Sequence, residues 1–178
     1  ATGATKYDHT WADDYSEERD AFEAFIDEVM ARRQQHPDMH VYHYAPYEPG
    51  ALKRLMGRYA TRQEEVDELL RAKVFVDLYL VTRQAVRAGV ESYSIKELER
   101  FFGYDRQVDL RDVSRPKRAL EALLESGRGH EAPEDAREIV RAYNEDDCVS
   151  TWRLREWLEI RREEGGFLSS CAGSDLHN

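Results

Sequence analysis

Arg141-Ala142-Tyr143-Asn144-Glu145-Asp146-Asp147-Cys148-Val149-Ser150-Thr151-Trp152 is the stretch on which the reading of the chain turns. It predicts the middle of a long helix. Ile139, Val140, Tyr143, Asp147, Thr151, Leu154 and Leu158 recur at steps of three and four, so they share one face. That face is apolar except at Asp147. A carboxylate on a buried stripe is costly unless a cation or several donors meet it. Tyr143 sits one turn before Asp147, which lets its hydroxyl reach the same pocket. The pattern fits equally well an Asp at the rim of the stripe, solvated or paired with an arginine. Asp146, about 100° round the helix, is expected to matter little.

Working outward, Pro133 opens this helix, and Gly165-Gly166 is expected to end it, leaving 165–178 as a flexible tail. Before it, a helix from Lys117 holds Leu120, Leu123 and Leu124 and breaks at Gly127-Arg128-Gly129. Tyr104 to Arg118 is charged and irregular and reads as a mobile loop. Ser94-Ile95-Lys96-Glu97 is a capping box whose helix carries Leu98, Phe101 and Phe102 and stops at Gly103. Lys96 falls in the first turn of that helix, an unfavourable place for a cation beside the helix dipole. A neighbouring carboxylate or a substrate phosphate would explain it; a solvated lysine fits equally.

The N-terminal half adds the strands. Residues 1–15 show no period. A helix from Ser16 places Phe22, Phe25, Ile26, Val29 and Met30 on one face and stops at His36-Pro37-Asp38. Met39 to Ala45 alternates, with Val41 and His43 on one side and Tyr42 and Tyr44 on the other, as a strand does. Pro49 suits the first position of the next helix, which puts Glu48 at or near its N-cap, with Leu52, Leu55, Met56 and Tyr59 inside. Glu48 reads equally as a carboxylate favoured by the helix N-terminus and as a metal ligand at a strand end. Thr61-Arg62-Gln63-Glu64 is a capping box for a helix burying Val66, Leu69 and Leu70. Val74 to Leu78 reads as a strand buried on both faces, and Asp77 at its end as a cap for the following helix. The sum is α/β, a small sheet packed by helices. Two convincing strands make a poor sheet for so many helices.

With 178 residues, 41% hydrophobic and 35% charged, the chain suits one helix-rich globular domain. A net charge of −10 argues against a surface that coats nucleic acid, but an acidic metal-dependent groove is compatible with it. Two cysteines, Cys148 and Cys171, make neither a disulfide framework nor a zinc site, which points to a reduced, cytoplasmic setting. No apolar run is long enough to span a membrane.

Three segments together resemble one family. His43-Tyr44-Ala45-Pro46-Tyr47-Glu48, backed by Leu52 and Leu55, resembles the second motif of the DEDD exonucleases. Ser92-Tyr93-Ser94-Ile95-Lys96, with Leu98 and Gly103, resembles the segment before their final helix. Tyr143-Asn144-Glu145-Asp146-Asp147 fits the Tyr-x-x-x-Asp third motif of the tyrosine subtype. The match is to the ribonuclease-H-like domain predicted to be an exonuclease, found in bacteria beside RecB-type nuclease and helicase regions. It spans residues 11–164.

The resemblance implies a ribonuclease-H-like fold over 1–164 and two divalent ions, Mg²⁺ or Mn²⁺, held by four carboxylates. By position, Glu48 and Asp147 stand for the acids of the second and third motifs, and Tyr143 for the residue that holds the attacking water. Lys96, Tyr44 and His43 fall on the substrate side. The implied activity is 3′-to-5′ exonuclease hydrolysis of single-stranded DNA or RNA within a DNA-processing or DNA-repair protein, with a fused or associated helicase or RecB-type nuclease as partner. Glu48 stands where the superfamily usually has Asp. The first-motif Asp-x-Glu occurs nowhere in the sequence. The expectation is therefore of a domain lacking its first strands, nearly inactive alone. The alternative is a non-catalytic module that binds nucleic acid or a helicase partner.

Overall fold

In the computed structural model the described residues are 6–172 apart from Ala88, with the side chains of residues 110 and 165–172 left out. The order is α1 (Tyr15–Gln35), β1 (Val41–His43), α2 (Tyr47–Tyr59), α3 (Gln63–Arg71), β2 (Phe75–Asp77), α4 (Leu78–Ala85), α5 (Ile95–Phe102), α6 (Leu110–Glu125), a 3-10 turn (Gly129–Glu131) and α7 (Glu134–Ala172). Strands β1 and β2 pair in parallel, Val41 opposite Phe75 and His43 opposite Asp77. Parallel pairing demands a crossover, and α2 and α3 supply it. Among the described residues this two-stranded sheet is the only one.

Two apolar clusters hold the molecule. The first joins Phe22, Ile26 and Val29 of α1 to Leu52 of α2, Val66 and Leu69 of α3, and Val74. Ile26, Val66 and Leu69 are fully buried, and each such side chain contributes about 1.5–3 kcal/mol by leaving water. The second joins Leu78, Ile95, Leu98 and Leu154, which brings α4, α5 and α7 together. Residues 6–14 lie along α7. Trp11 stacks under Arg137, whose Nη2 is 2.7 Å from Asp13 Oδ1, and the Tyr7 hydroxyl donates to Asn144 Oδ1 at 3.2 Å.

Several local expectations are corrected. Helix α2 begins two residues early, with Pro46 at its N-cap, so Glu48 is the second helical residue. The Thr61 box does not form: its hydroxyl donates to Glu23 Oε1 at 2.7 Å instead, and Arg62, at φ 52°, is the N-cap of α3. Tyr104 to Arg118 is not an irregular loop. Asp109 caps α6 by accepting from the Arg111 N–H, and the helix then runs through Pro116. Finally, α7 does not stop at Gly165-Gly166 but continues to Ala172. Each interior glycine costs only about 1 kcal/mol relative to alanine, less than a long established helix can absorb. Residues 173–178 of the expected tail lie outside the described residues.

Candidate functional site

The buried line of α7 is one residue off the expected stripe. Ala142, Asp146, Ser150 and Leu154 are buried at steps of four, whereas Asp147 sits at the edge with its side chain 37% exposed. Hydropathy could not show this, because Asp146 is fully buried by virtue of its donors. Its carboxylate accepts from the Tyr104 hydroxyl at 2.8 Å, from the Gln107 N–H at 3.0 and 3.1 Å, and from the Val108 N–H at 3.2 Å. A buried carboxylate needs such donors to offset desolvation. Asp146 is thus the anchor of the 104–109 segment.

That anchored segment delivers Arg106. Its Nε and Nη2 make three hydrogen bonds of 2.7–3.1 Å to Glu99. Its Nη2 also lies 2.8 Å from Asp147 Oδ1. Arg106 and Glu99 side chains are 8% and 9% exposed, and the Ser150 hydroxyl donates to Glu99 Oε1 at 2.8 Å. Burial pulls the Arg106 pKa down, but the hydrogen bonds to Glu99 and the charges of Asp147 and Glu99 outweigh it and hold the guanidinium charged. Sequence reasoning missed Glu99, Tyr104 and Arg106. The available signal was Glu99, a charge one helical turn from Ile95 on the apolar face of α5.

Glu48 arrives from the other side. At the exit of β1, Ala45 adopts φ 65°, a left-handed conformation that a residue with a Cβ pays for in strain. Asp77 holds this corner: one carboxylate oxygen accepts from the Ala45 N–H at 3.0 Å and, as the expected cap of α4, from the Tyr79 N–H at 2.9 Å. The turn places Glu48 Oε2 3.7 Å from His43 Nδ1. His43 is buried, and the same nitrogen is 2.7 Å from the Ala45 carbonyl oxygen. Partial desolvation pushes the Glu48 carboxyl up, although its side chain is 51% exposed. Its own backbone N–H and His43 pull it down, and the charges of Asp77 and Asp147 push it further up. Strand β1, whose exit leads to Glu48, packs against α7, which carries Asp147.

Tyr143 lies between two cations. Lys96 Nζ donates to its hydroxyl at 3.2 Å and sits 5.2 Å from its ring centroid, while Arg106 Cζ lies 5.7 Å from that centroid. The neighbour of Lys96 is thus a tyrosine oxygen rather than a carboxylate. Tyr44 is used inside the protein: its hydroxyl donates to the Tyr93 carbonyl, and its ring meets Tyr79 edge-on at 5.7 Å. Tyr42 and Tyr47 are exposed, the former under Arg155. Arg115, Lys117 and Arg118 lie exposed on α6.

A family model described as the RNase H superfamily matches residues 2–159. The chain belongs to the RNase H superfamily. No curated protein and no solved structure matches it. Its α/β architecture, mostly helical around a small parallel sheet, is that of an RNase H-like domain. No helix among the described residues is long and apolar enough to cross a membrane.

The superfamily's chemistry asks whether this RNase H-like domain offers a metal site. Among the described residues, no group of three or more His, Cys, Asp or Glu side chains is placed to hold an ion. Glu48 and Asp147 offer oxygen donors of the type Mg²⁺ and Mn²⁺ prefer, but Asp147 already faces Arg106 and Asp77 is committed to two backbone donors. The donors present do not by themselves fit two ions.

Proposed function

We propose that this RNase H superfamily chain is a nuclease domain that hydrolyses phosphodiester bonds of single-stranded nucleic acid from the 3′ end, within a DNA-processing protein of the cytoplasm. The observation that carries this reading is the RNase H superfamily match over residues 2–159, supported by the packing of β1, whose exit leads to Glu48, against α7, where Tyr143 lies one turn before Asp147. Residues 1–164 form the domain. Glu48 and Asp147 are its metal-facing carboxylates, and Mg²⁺ or Mn²⁺ is the ion class their oxygens favour. Tyr143 Oη orients the attacking water, and Lys96 holds that hydroxyl in place. Lys96 also meets substrate phosphate, while His43 and Tyr44 support the strand end below. A helicase or RecB-type nuclease is the proposed partner.

A second reading is a non-catalytic module that binds nucleic acid or a helicase. It is favoured by the Arg106–Asp147 contact, which neutralises a carboxylate the nuclease reading requires. A 5′-labelled single-stranded oligonucleotide separates the two. With Mg²⁺ or Mn²⁺, the native full-length protein is expected to shorten it from the 3′ end, and Asp147→Ala to abolish that cleavage. Binding of the oligonucleotide without metal-dependent cleavage would select the second reading.

A further inference from the structure

We propose that the solvent face of α6 is a second contact surface for nucleic acid, an arginine ridge that holds the phosphodiester backbone away from Glu48 and Asp147. It rests on the nucleic-acid binding that both readings above share, and on neither cleavage nor metal. The ridge lies in Arg111-Asp112-Val113-Ser114-Arg115-Pro116-Lys117-Arg118, four cations and one acid in a chain whose net charge is −10. Helical geometry sorts them. Arg111, Arg115 and Arg118 fall within about 60° of one another, and Val113 and Leu120 lie on the opposite side. Those two apolar side chains are buried. Helix α6 therefore docks through them and turns the three arginines outwards, where all are exposed.

Two of these arginines are unspent. Elsewhere on the surface Arg32 meets Glu28, Arg71 meets Asp67 and Arg128 meets Glu131. On α6 itself Arg111 is 2.8 Å from Asp109, and Lys117 is 3.9 Å from Glu121. Among the described residues, Arg115 and Arg118 make no ion pair. Asp112 and Glu121 are each three residues from one of them, close enough on a helix to pair, yet neither does. The other positions on the stripe, Ser114 and Ala122, are small, exposed and uncharged. Two free guanidinium forks with small neighbours suit phosphate oxygens, which such forks bind in pairs. Cations gathered along one helix face are the electrostatic footprint of backbone binding.

Place and charge name the occupant. Helix α6 starts directly after the strap whose Gln107 and Val108 N–H groups are held by Asp146. The near end of the ridge is thereby tied to the turn of α7 that carries Asp147. From Arg111 to Arg118 the ridge extends about 10 Å, long enough to meet more than one phosphate of a strand. An acidic protein surface offers the same charge, but membership of the RNase H superfamily favours nucleic acid. The acidic remainder of the chain repels the backbone and so restricts where it lands. Contacts of this kind read no bases. The ridge therefore adds affinity for any sequence and takes no part in the chemistry.

The test is the binding of labelled single-stranded oligonucleotides of two unrelated sequences to the native full-length protein, read by fluorescence anisotropy across a salt series. Divalent ions are left out so that no strand is cut. Two double variants are compared with the native protein, Arg115→Gln/Arg118→Gln and Arg71→Gln/Lys73→Gln. The second removes the same charge from the exposed turn before β2, and all four positions lie on the surface, where the fold tolerates glutamine. In the ridge variant the slope of log affinity against log salt is expected to shrink by about 1.4, from two contacts at about 0.7 each. Both sequences should bind it about tenfold more weakly at low salt, while the Arg71/Lys73 variant keeps the native affinity and slope. Native-like binding by the ridge variant, or an equal loss in the two variants, overturns the inference. Either result assigns the ridge to solvent or to an acidic protein surface, and leaves the nuclease reading to cleavage and its loss in Asp147→Ala. No binding by the native protein overturns the inference together with both nucleic-acid readings.

Discussion

Asp146 accepts a 2.8 Å hydrogen bond from the hydroxyl of Tyr104, a residue 42 positions earlier in the chain. Together with the Gln107 and Val108 N–H groups, that bond turns a charged stretch into a fixed strap across α7. The neighbouring carboxylate, Asp147, points to a different partner and a different use. Two adjacent acids on one helix thus divide the work, one holding the strap and one meeting Arg106.

The first prediction follows from that division. Asp146→Ala removes a buried carboxylate and the acceptor for three donors, and is expected to destabilise the protein by about 2–4 kcal/mol. Tyr104→Phe loses one of those bonds and is expected to cost about 1–2 kcal/mol. Urea unfolding of the two variants beside the native chain measures both. A neutral Asp146→Ala would mean that the strap is not held through this carboxylate.

Lys96 and Tyr143 are expected to separate by the kind of defect they give. Tyr143→Phe removes the hydroxyl but keeps the ring under both cations. Cleavage by the native full-length protein should fall about 10- to 100-fold with oligonucleotide binding unchanged. Lys96 Nζ donates one bond to Tyr143, and an ammonium carries three donors. Lys96→Ala should therefore weaken binding and lower the dependence of log affinity on log salt by about one. An unchanged salt dependence would assign Lys96 to the tyrosine alone.

Glu48 supplies a pH test with a definite sign. Burial, reinforced by Asp77 and Asp147, raises its carboxyl above the ordinary value. The folded state therefore holds that proton to higher pH than the unfolded chain does. The stability it contributes is fully present below the ordinary value and is lost as pH rises through the raised one. Glu48→Gln does not titrate. The stability of the native chain minus that of Glu48→Gln should accordingly fall as pH rises from the ordinary carboxylate range through the raised value. Unfolding curves at intervals across that range give the difference directly, and a rise with pH would contradict the raised carboxyl of Glu48.

What the sequence by itself determined was whatever local periodicity and backbone chemistry dictate. The faces of α1 (apart from Phe25, which is 42% exposed) and α3, the two strands, the stop at Gly103 and the Asp77 cap all depend on residues within a turn or two, and each was legible. So was the superfamily, because its motifs are short and ordered along the chain. Tertiary structure decided which acid of Asp146-Asp147 is buried. One residue of rotation on α7 depended on donors at 104, 107 and 108, and no periodicity in α7 encodes them. It likewise decided that Arg106 meets Glu99 and Asp147, since an ion pair across distant segments has no hydropathy signature. The Ala45 corner that aims Glu48 was also beyond local reading, because its left-handed backbone is held from outside by Asp77. Local free energies are written in neighbouring residues; the burial of a charge is decided by whatever the fold brings to meet it.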